Sequence, residues 1–230
     1  MEHLPVWLGL AFGFTTALAV WLLHCAAHRS GRTLLVLLAW LLAQAAVART
    51  GFYTVTGGVP PRFALLVGPP LLVLLLLFST AAGRRYLDGL RLGTLTLLHV
   101  VRVPVEFVLF ALFLHGAVPK LMTFEGRNWD ILAGLSAPVV WLLAFRTRQL
   151  GRRGLLLWNL LGVVSLFNIV GNAVLSVPSP FQRFAFDQPN VAILHFPFVW
   201  LPGCVVPVVL LAHLVAIRQL LRPAESPARQ

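Results

Sequence analysis

The stretch TLTLLHVVRVPVEFVLFALFLHGAV, residues 94–118, decides the class of this protein. It exceeds the roughly 20 mostly apolar residues that an α-helix needs to cross a hydrocarbon core of about 30 Å. It also carries four ionisable side chains, His99, Arg102, Glu106 and His115, and the first three share a pattern. His99, Arg102 and Glu106 stand at i, i+3 and i+7, so one face of a single helix holds all three. A charge inside a bilayer is costly and faces the bundle interior or a wet cavity. The stretch therefore reads as a membrane-spanning helix whose polar stripe meets other helices. Arg102 and Glu106, four apart, are spaced to pair directly.

Outward from this run, six more apolar runs fill the chain: residues 6–27, 33–47, 63–81, 131–145, 154–177 and 191–217. The second and the fifth are short. The composition is 59% hydrophobic and 11% charged, which excludes an ordinary soluble domain. The fold class expected is all-α: a polytopic seven-transmembrane-helix bundle over residues 1–222, with a short tail at 223–230. The bilayer is the first expected partner.

The net charge of +11 suggests nucleic acid until its distribution is read. Arg29, Arg32, Arg84, Arg85, Arg91, Arg146, Arg148, Arg152, Arg153, Arg218, Arg222 and Arg229 all fall on one side of a seven-span topology. The other side has Arg49, Arg62, Lys120, Arg127 and Arg183, diluted by Glu2, Glu125, Asp130 and Asp187. Cationic loops stay cytoplasmic, which places the N-terminus outside and the C-terminus inside. The basic face should attract anionic lipid, and the cations are too closely tied to helix ends for a nucleic-acid surface. A bacterial cytoplasmic (inner) membrane is the expected location. Glu2 and His3 replace the basic start of a signal peptide. Cys25 and Cys204 lie at different depths and read as small apolar residues.

Prolines interrupt the runs at Pro69, Pro70, Pro104, Pro138, Pro197, Pro202 and Pro207. Each removes a backbone hydrogen bond, and lipid cannot satisfy the freed carbonyl. The seventh run should be bent or broken. Small residues at Gly9 and Gly13, and at Gly162 and Ser165, offer close helix contacts.

The connection PKLMTFEGRNWD, residues 119–130, is the most polar outer segment. Asp130 suits a helix N-terminus, Gly126 a tight turn and Trp129 the interface. Those roles leave Glu125, Arg127 and Asn128 unexplained. On the sixth run Ser165, Asn168 and Asn172 form another i, i+3, i+7 stripe, readable as interhelical glue or a pocket wall. Gln44 and Arg49 are placed to join it. Residues 119–129, with the preceding 99–106 stretch, resemble uncharacterised bacterial seven-helix membrane proteins. That resemblance implies a membrane protein and no catalytic residue.

These groups define a candidate ligand site: Arg102, Glu106, His115, Glu125, Arg127, Asn128, Asp130, Asn168, Asn172 and His195. The expectation is an outward-opening polar pocket between the outer halves of the fourth, fifth and seventh helices, with Glu106 at its floor. Its ligand is a small molecule or an ion, bound or transported. Three other readings stand beside it. A metal-dependent enzyme would use His115, His195, Glu125 and Asp130 as ligands, although no close HxxxH or HExxH spacing supports it. A structural or assembly protein needs no ligand. A b-type haem carrier would pair His99 with His213 and His115 with His195. Retinal is disfavoured, because the only lysine, Lys120, lies outside the seventh run.

Overall fold

In the computed structural model, residues 4–222 are described. The tail at 223–230, with Arg229, and the residues Glu2 and His3 lie outside them. All the regular structure among the described residues is helical. The helices are α1 (Val6–Ala26), α2 (Gly31–Arg49), α3 (Ala64–Ser79), α4 (Ala81–Asp88), α5 (Leu92–Leu98), α6 (Arg102–Leu114), α7 (Asp130–Trp141), α8 (Arg152–Val174) and α9 (Val206–Leu221).

Five stretches are long and apolar enough to cross a membrane: α1, α2, α5 joined to α6 over Leu92–Leu114, α8, and Leu201–Leu221. A sixth is added if α3 and α4 count as one broken span. The protein is thus a polytopic helical membrane protein. The second apolar run is longer than its hydropathy suggests. The N-cap of α2 is Ser30, whose hydroxyl accepts from the Thr33 amide, and the helix continues to Arg49.

Three departures from continuous helices follow from identifiable residues. The chain turns by 92° between α3 and α4. Thr80 is extended there, and its hydroxyl caps α4 by accepting from the Gly83 amide at 3.1 Å. A Cβ on Gly83 would overlap the Leu77 backbone, so only glycine fits the corner. The fourth run tightens into a 3₁₀ turn at His99–Val101, just before Pro104. The seventh run does not begin at residue 191 as its hydropathy suggests. Residues 191–200 form turns with a short 3₁₀ segment, and a π segment at Leu201–Val205 leads into α9.

Pro207 has no amide hydrogen to give the carbonyl four residues back, at Gly203. The indole Nε1 of Trp40 donates to that carbonyl at 2.7 Å. Trp200 Nε1 in turn donates to the Leu41 carbonyl at 3.0 Å. Two indoles thus lock α2 to the broken segment.

The centre of the bundle is α5, α6 and α9. α1 lies on α5 and α6, α7 on α5, α6 and α8, and α9 touches α8, α5 and α3. Fully buried Phe12, Leu66, Leu95, Leu98 and Met122 fill the space between them. Gly9 packs on Pro197, 3.6 Å from where its Cβ would be, whereas Gly13 faces no neighbour. The small-residue face of α1 is therefore used only at Gly9. Cys25 and Cys204 are both free thiols.

Candidate functional site

Arg102 opens α6 at the centre of the bundle and is 3% exposed. Its partner is not Glu106. Its Nη2 lies 2.5 Å from Asp130 Oδ1, and its Nε donates to Asp130 Oδ2 at 3.1 Å. The expected i,i+4 pairing gives way to a two-pronged one, because Asp130 in the first turn of α7 meets the flat edge of the guanidinium. Gly134, one turn along α7, makes this possible. A Cβ there would come within 2.8 Å of Val103 Cγ2, so glycine lets α7 sit directly on α6.

The remaining donors of Arg102 fix further residues. Nη1 donates to His213 Nε2 on α9 at 3.1 Å, and Nη2 reaches the Gly162 carbonyl on α8 at 3.4 Å. Arginine has no acceptor, so His213 Nε2 must be unprotonated. Its Nδ1–H then donates to Asn159 Oδ1 at 2.9 Å. Asn159 Nδ2 donates onward to the Leu155 carbonyl at 2.9 Å. His213 is thereby held as a neutral tautomer. Gly162 makes room for this ring, since a Cβ there would overlap His213 unless the ring shifted.

His99 stacks on His213 with ring centroids 3.8 Å apart and planes 21° from parallel. Trp158 stands edge-on to His99 at 5.2 Å and donates Nε1 to Ser136 Oγ at 2.9 Å. Neither ring nitrogen of the fully buried His99 has a hydrogen-bond partner among the described residues. The stacked rings overturn one sequence expectation. His99 and His213 do come together, but face to face with no gap for a porphyrin between them.

Glu106 lies one turn further along α6 and is 1% exposed. Its Oε1 accepts from Asn128 Nδ2, while its Oε2 has no partner among the described residues. Asn128 is delivered by the 119–130 connection. Its Nδ2 also donates to the Met122 carbonyl at 3.0 Å, and its Oδ1 accepts from the Asp130 amide at 3.1 Å. Gly126 permits the fold-back, because a Cβ there would overlap the Lys120 carbonyl. Ser165 Oγ on α8 donates to Asp130 Oδ1.

Glu106, Asn128 and Asp130 together form the polar part of a cavity of about 80 Å³. The rest of its wall is apolar, including Leu66, Met122, Leu166, Ile193 and Pro202.

The other predicted site residues lie apart from this cavity. His115 is exposed and bonds through Nδ1 to the Ala111 carbonyl at 2.8 Å. Glu125 is exposed and sits 3.8 Å from Lys120. Arg127 is exposed, and its carbonyl accepts from Asn168 Nδ2 at 2.8 Å. Asn172 Nδ2 contacts Asn168 Oδ1 at 3.4 Å. His195 is half-buried at the turn before the π segment. The Asn168–Asn172 stripe therefore ties α8 to the 119–130 connection. The expected rim residues His115, Glu125, Arg127 and His195 line neither this cavity nor a larger one beside α2 and α3.

The proposed quartet of metal ligands fails for the same reason. Asp130 is engaged by Arg102, Glu125 faces Lys120, and no group of three or more His, Cys, Asp or Glu side chains suited to a metal occurs among the described residues. Gln44 and Arg49 do not join the stripe either. Gln44 Oε1 accepts from Tyr53 at 2.6 Å, and Arg49 lies over the Phe196 ring at 5.2 Å.

Sequence reasoning missed Asn159, Trp158 and Ser136. Asn159 was accessible: it continues the Gly162, Ser165 face of α8 by one further turn.

Residues 60–221 match the family described as "Domain of unknown function (DUF8737)", so the chain belongs to that family. No curated protein and no solved structure matches the chain.

Proposed function

We propose that this member of the DUF8737 family binds or transports a small cation or proton at Glu106, within a seven-span bundle in a bacterial cytoplasmic membrane. The observation that carries this reading is the charge balance at the cavity. One buried cation, Arg102, faces two buried carboxylates, Asp130 and Glu106. Asp130 takes both prongs of the guanidinium, and Glu106 keeps one oxygen without a partner. His213 adds no charge as a neutral acceptor. Burying an unneutralised carboxylate is costly, so Glu106 calls for a proton or a cation. A cavity of about 80 Å³ suits a small ion with a few waters, at roughly 30 Å³ of liquid volume each.

The test is flux in proteoliposomes, with proton, sodium and potassium gradients as probes. Wild-type protein should carry one of them, and Glu106→Gln should lose it while remaining folded. Equal flux through the variant, or no flux of any of the three by wild type, would refute the reading. The structural alternative is favoured by how fully Arg102 is bonded. It predicts that Glu106→Gln changes melting but abolishes no flux.

The seven crossings rest on the arginine distribution together with two short helical stretches, α3 and α7 with its π continuation at Leu142–Arg146. The N-terminus is placed outside. Cysteines introduced at Gly57 and Gly151 should then label from opposite faces, Gly57 from outside. Labelling of both from one face would break this topology.

A further inference from the structure

A second cavity, larger than the one at Glu106, lies away from the polar core. It measures about 440 Å³ and opens between α2 and α3 with α9 behind it, within the usual range for ligand sites. One wall is the α2 face of Thr33, Val36, Leu37 and Trp40, at i, i+3, i+4 and i+7. The facing wall comes from α3, with Pro70, Val73, Leu74 and Leu77 in the same spacing. α2 packs on α1 and the π segment, and α3 packs on α4, α9 and the π segment, so the two walls stand apart.

Polarity in this cleft is graded from one end to the other. The deepest polar groups are consumed, since Trp40 Nε1 donates to the Gly203 carbonyl at 2.7 Å. The mouth at the arginine-rich end is different. There the Thr33 and Tyr86 hydroxyls meet at 3.1 Å beside exposed Arg32. Arg32 has no carboxylate within salt-bridge distance among the described residues. From Arg32 to Trp40 the helix rises about 12 Å, most of one leaflet's hydrocarbon depth of roughly 15 Å.

We propose that this cleft is a binding site for an anionic phospholipid of the leaflet on the arginine-rich side. One acyl chain lies between α2 and α3, and the phosphate sits on Arg32 with the Thr33 and Tyr86 hydroxyls beside it. The guanidinium fork matches a phosphate in two-pronged geometry. The apolar depth admits a chain and offers a polar ligand nothing.

The experiment is native mass spectrometry of the full chain, delipidated in mild detergent and re-exposed to phosphatidylglycerol or phosphatidylcholine. Wild type should retain a single phosphatidylglycerol in preference to phosphatidylcholine. Arg32→Gln should bind phosphatidylglycerol roughly tenfold more weakly, the loss of one charge-assisted contact, and lose the preference. Val73→Trp, which fills the cleft, should lose both lipids. Leu72→Trp, on the exposed side of α3 outside the cleft, should behave as wild type. If Val73→Trp does not fold, Val36→Trp fills the cleft from the opposite wall. Equal retention by wild type and the filled variant would overturn the site. A phosphatidylglycerol preference that survives Arg32→Gln would overturn its anionic assignment.

Discussion

Asp130 and Asp88 each hold arginine, in opposite surroundings. Asp130 meets Arg102 in the middle of the bundle, with side chains 9% and 3% exposed. Asp88 ends α4 at the arginine-rich end, where Arg218 Nε lies 2.9 Å away and Arg222 Nη2 2.6 Å away, with Arg222 half exposed. The buried pair cannot fall back on water. Every donor it presents must find protein, and the Arg102 guanidinium reaches Asp130, His213 and Gly162. The peripheral cluster is partly open to solvent through Arg222 and is reinforced by backbone contacts. Gln219 Nε2 donates to the Leu87 and Leu90 carbonyls at 3.0 and 2.9 Å. Identical charges thus specify a unique core in one place and a tolerant clasp in the other.

The largest effect should come from breaking the inner pair on one side only. Arg102→Met leaves Asp130 and Glu106 buried without a cation and should cost about 3–5 kcal/mol. Removing both charges, in Arg102→Met with Asp130→Leu, should recover much of that loss. Thermal melting in detergent reads both. A double variant that melts below the single one would show that the pair contributes net stability, against the argument from desolvation.

A second prediction separates packing from charge. Gly162→Ala keeps every ionisable group but places a methyl where the His213 ring lies. It should destabilise by about 1–3 kcal/mol through overpacking. Ala at Gly13, which faces open space, should be nearly silent. Equal melting of the two variants would mean that the His213 ring moves aside without cost.

The same contrast explains what could be read from the chain alone. Helix positions were legible because apolar runs of this length have few alternatives in lipid. The inward-facing stripe of His99, Arg102 and Glu106 was legible from its 3.6-residue period. The partner of Arg102 was not, since Asp130 lies 28 positions away on another helix. Its proximity depends on Gly134 and on a loop that folds back at Gly126. α4 escaped notice because its eight residues, Arg84, Arg85 and Asp88 among them, are too few and too charged to read as a span, and they follow a corner made by Thr80 and Gly83. The false start of the seventh helix has the reverse cause. Residues 191–200 are apolar enough to pass as a span, while the chain around Pro197 makes turns.

The smallest effect belongs to the peripheral clasp at Asp88. The hydrogen bond from Arg218 holds the Asp88 carboxyl below its ordinary range; burial opposes this, and the charges of Arg218 and Arg222 add to it. A carboxyl whose folded-state value is depressed contributes stability above its unfolded value, about 3.9. That contribution fades as pH falls through the lower folded value. Asp88→Asn should therefore cost between a few tenths and about 1 kcal/mol at neutral pH, less in high salt. The melting difference between wild type and variant should begin to narrow below about pH 4 and close once pH passes the lower folded value. Asp130 offers the control, because its pair is shielded from salt by burial. If salt weakens both clusters equally, the contrast between them fails. If Asp88→Asn costs as much as Arg102→Met, α4 is not a solvent-screened clasp but part of the membrane-embedded core.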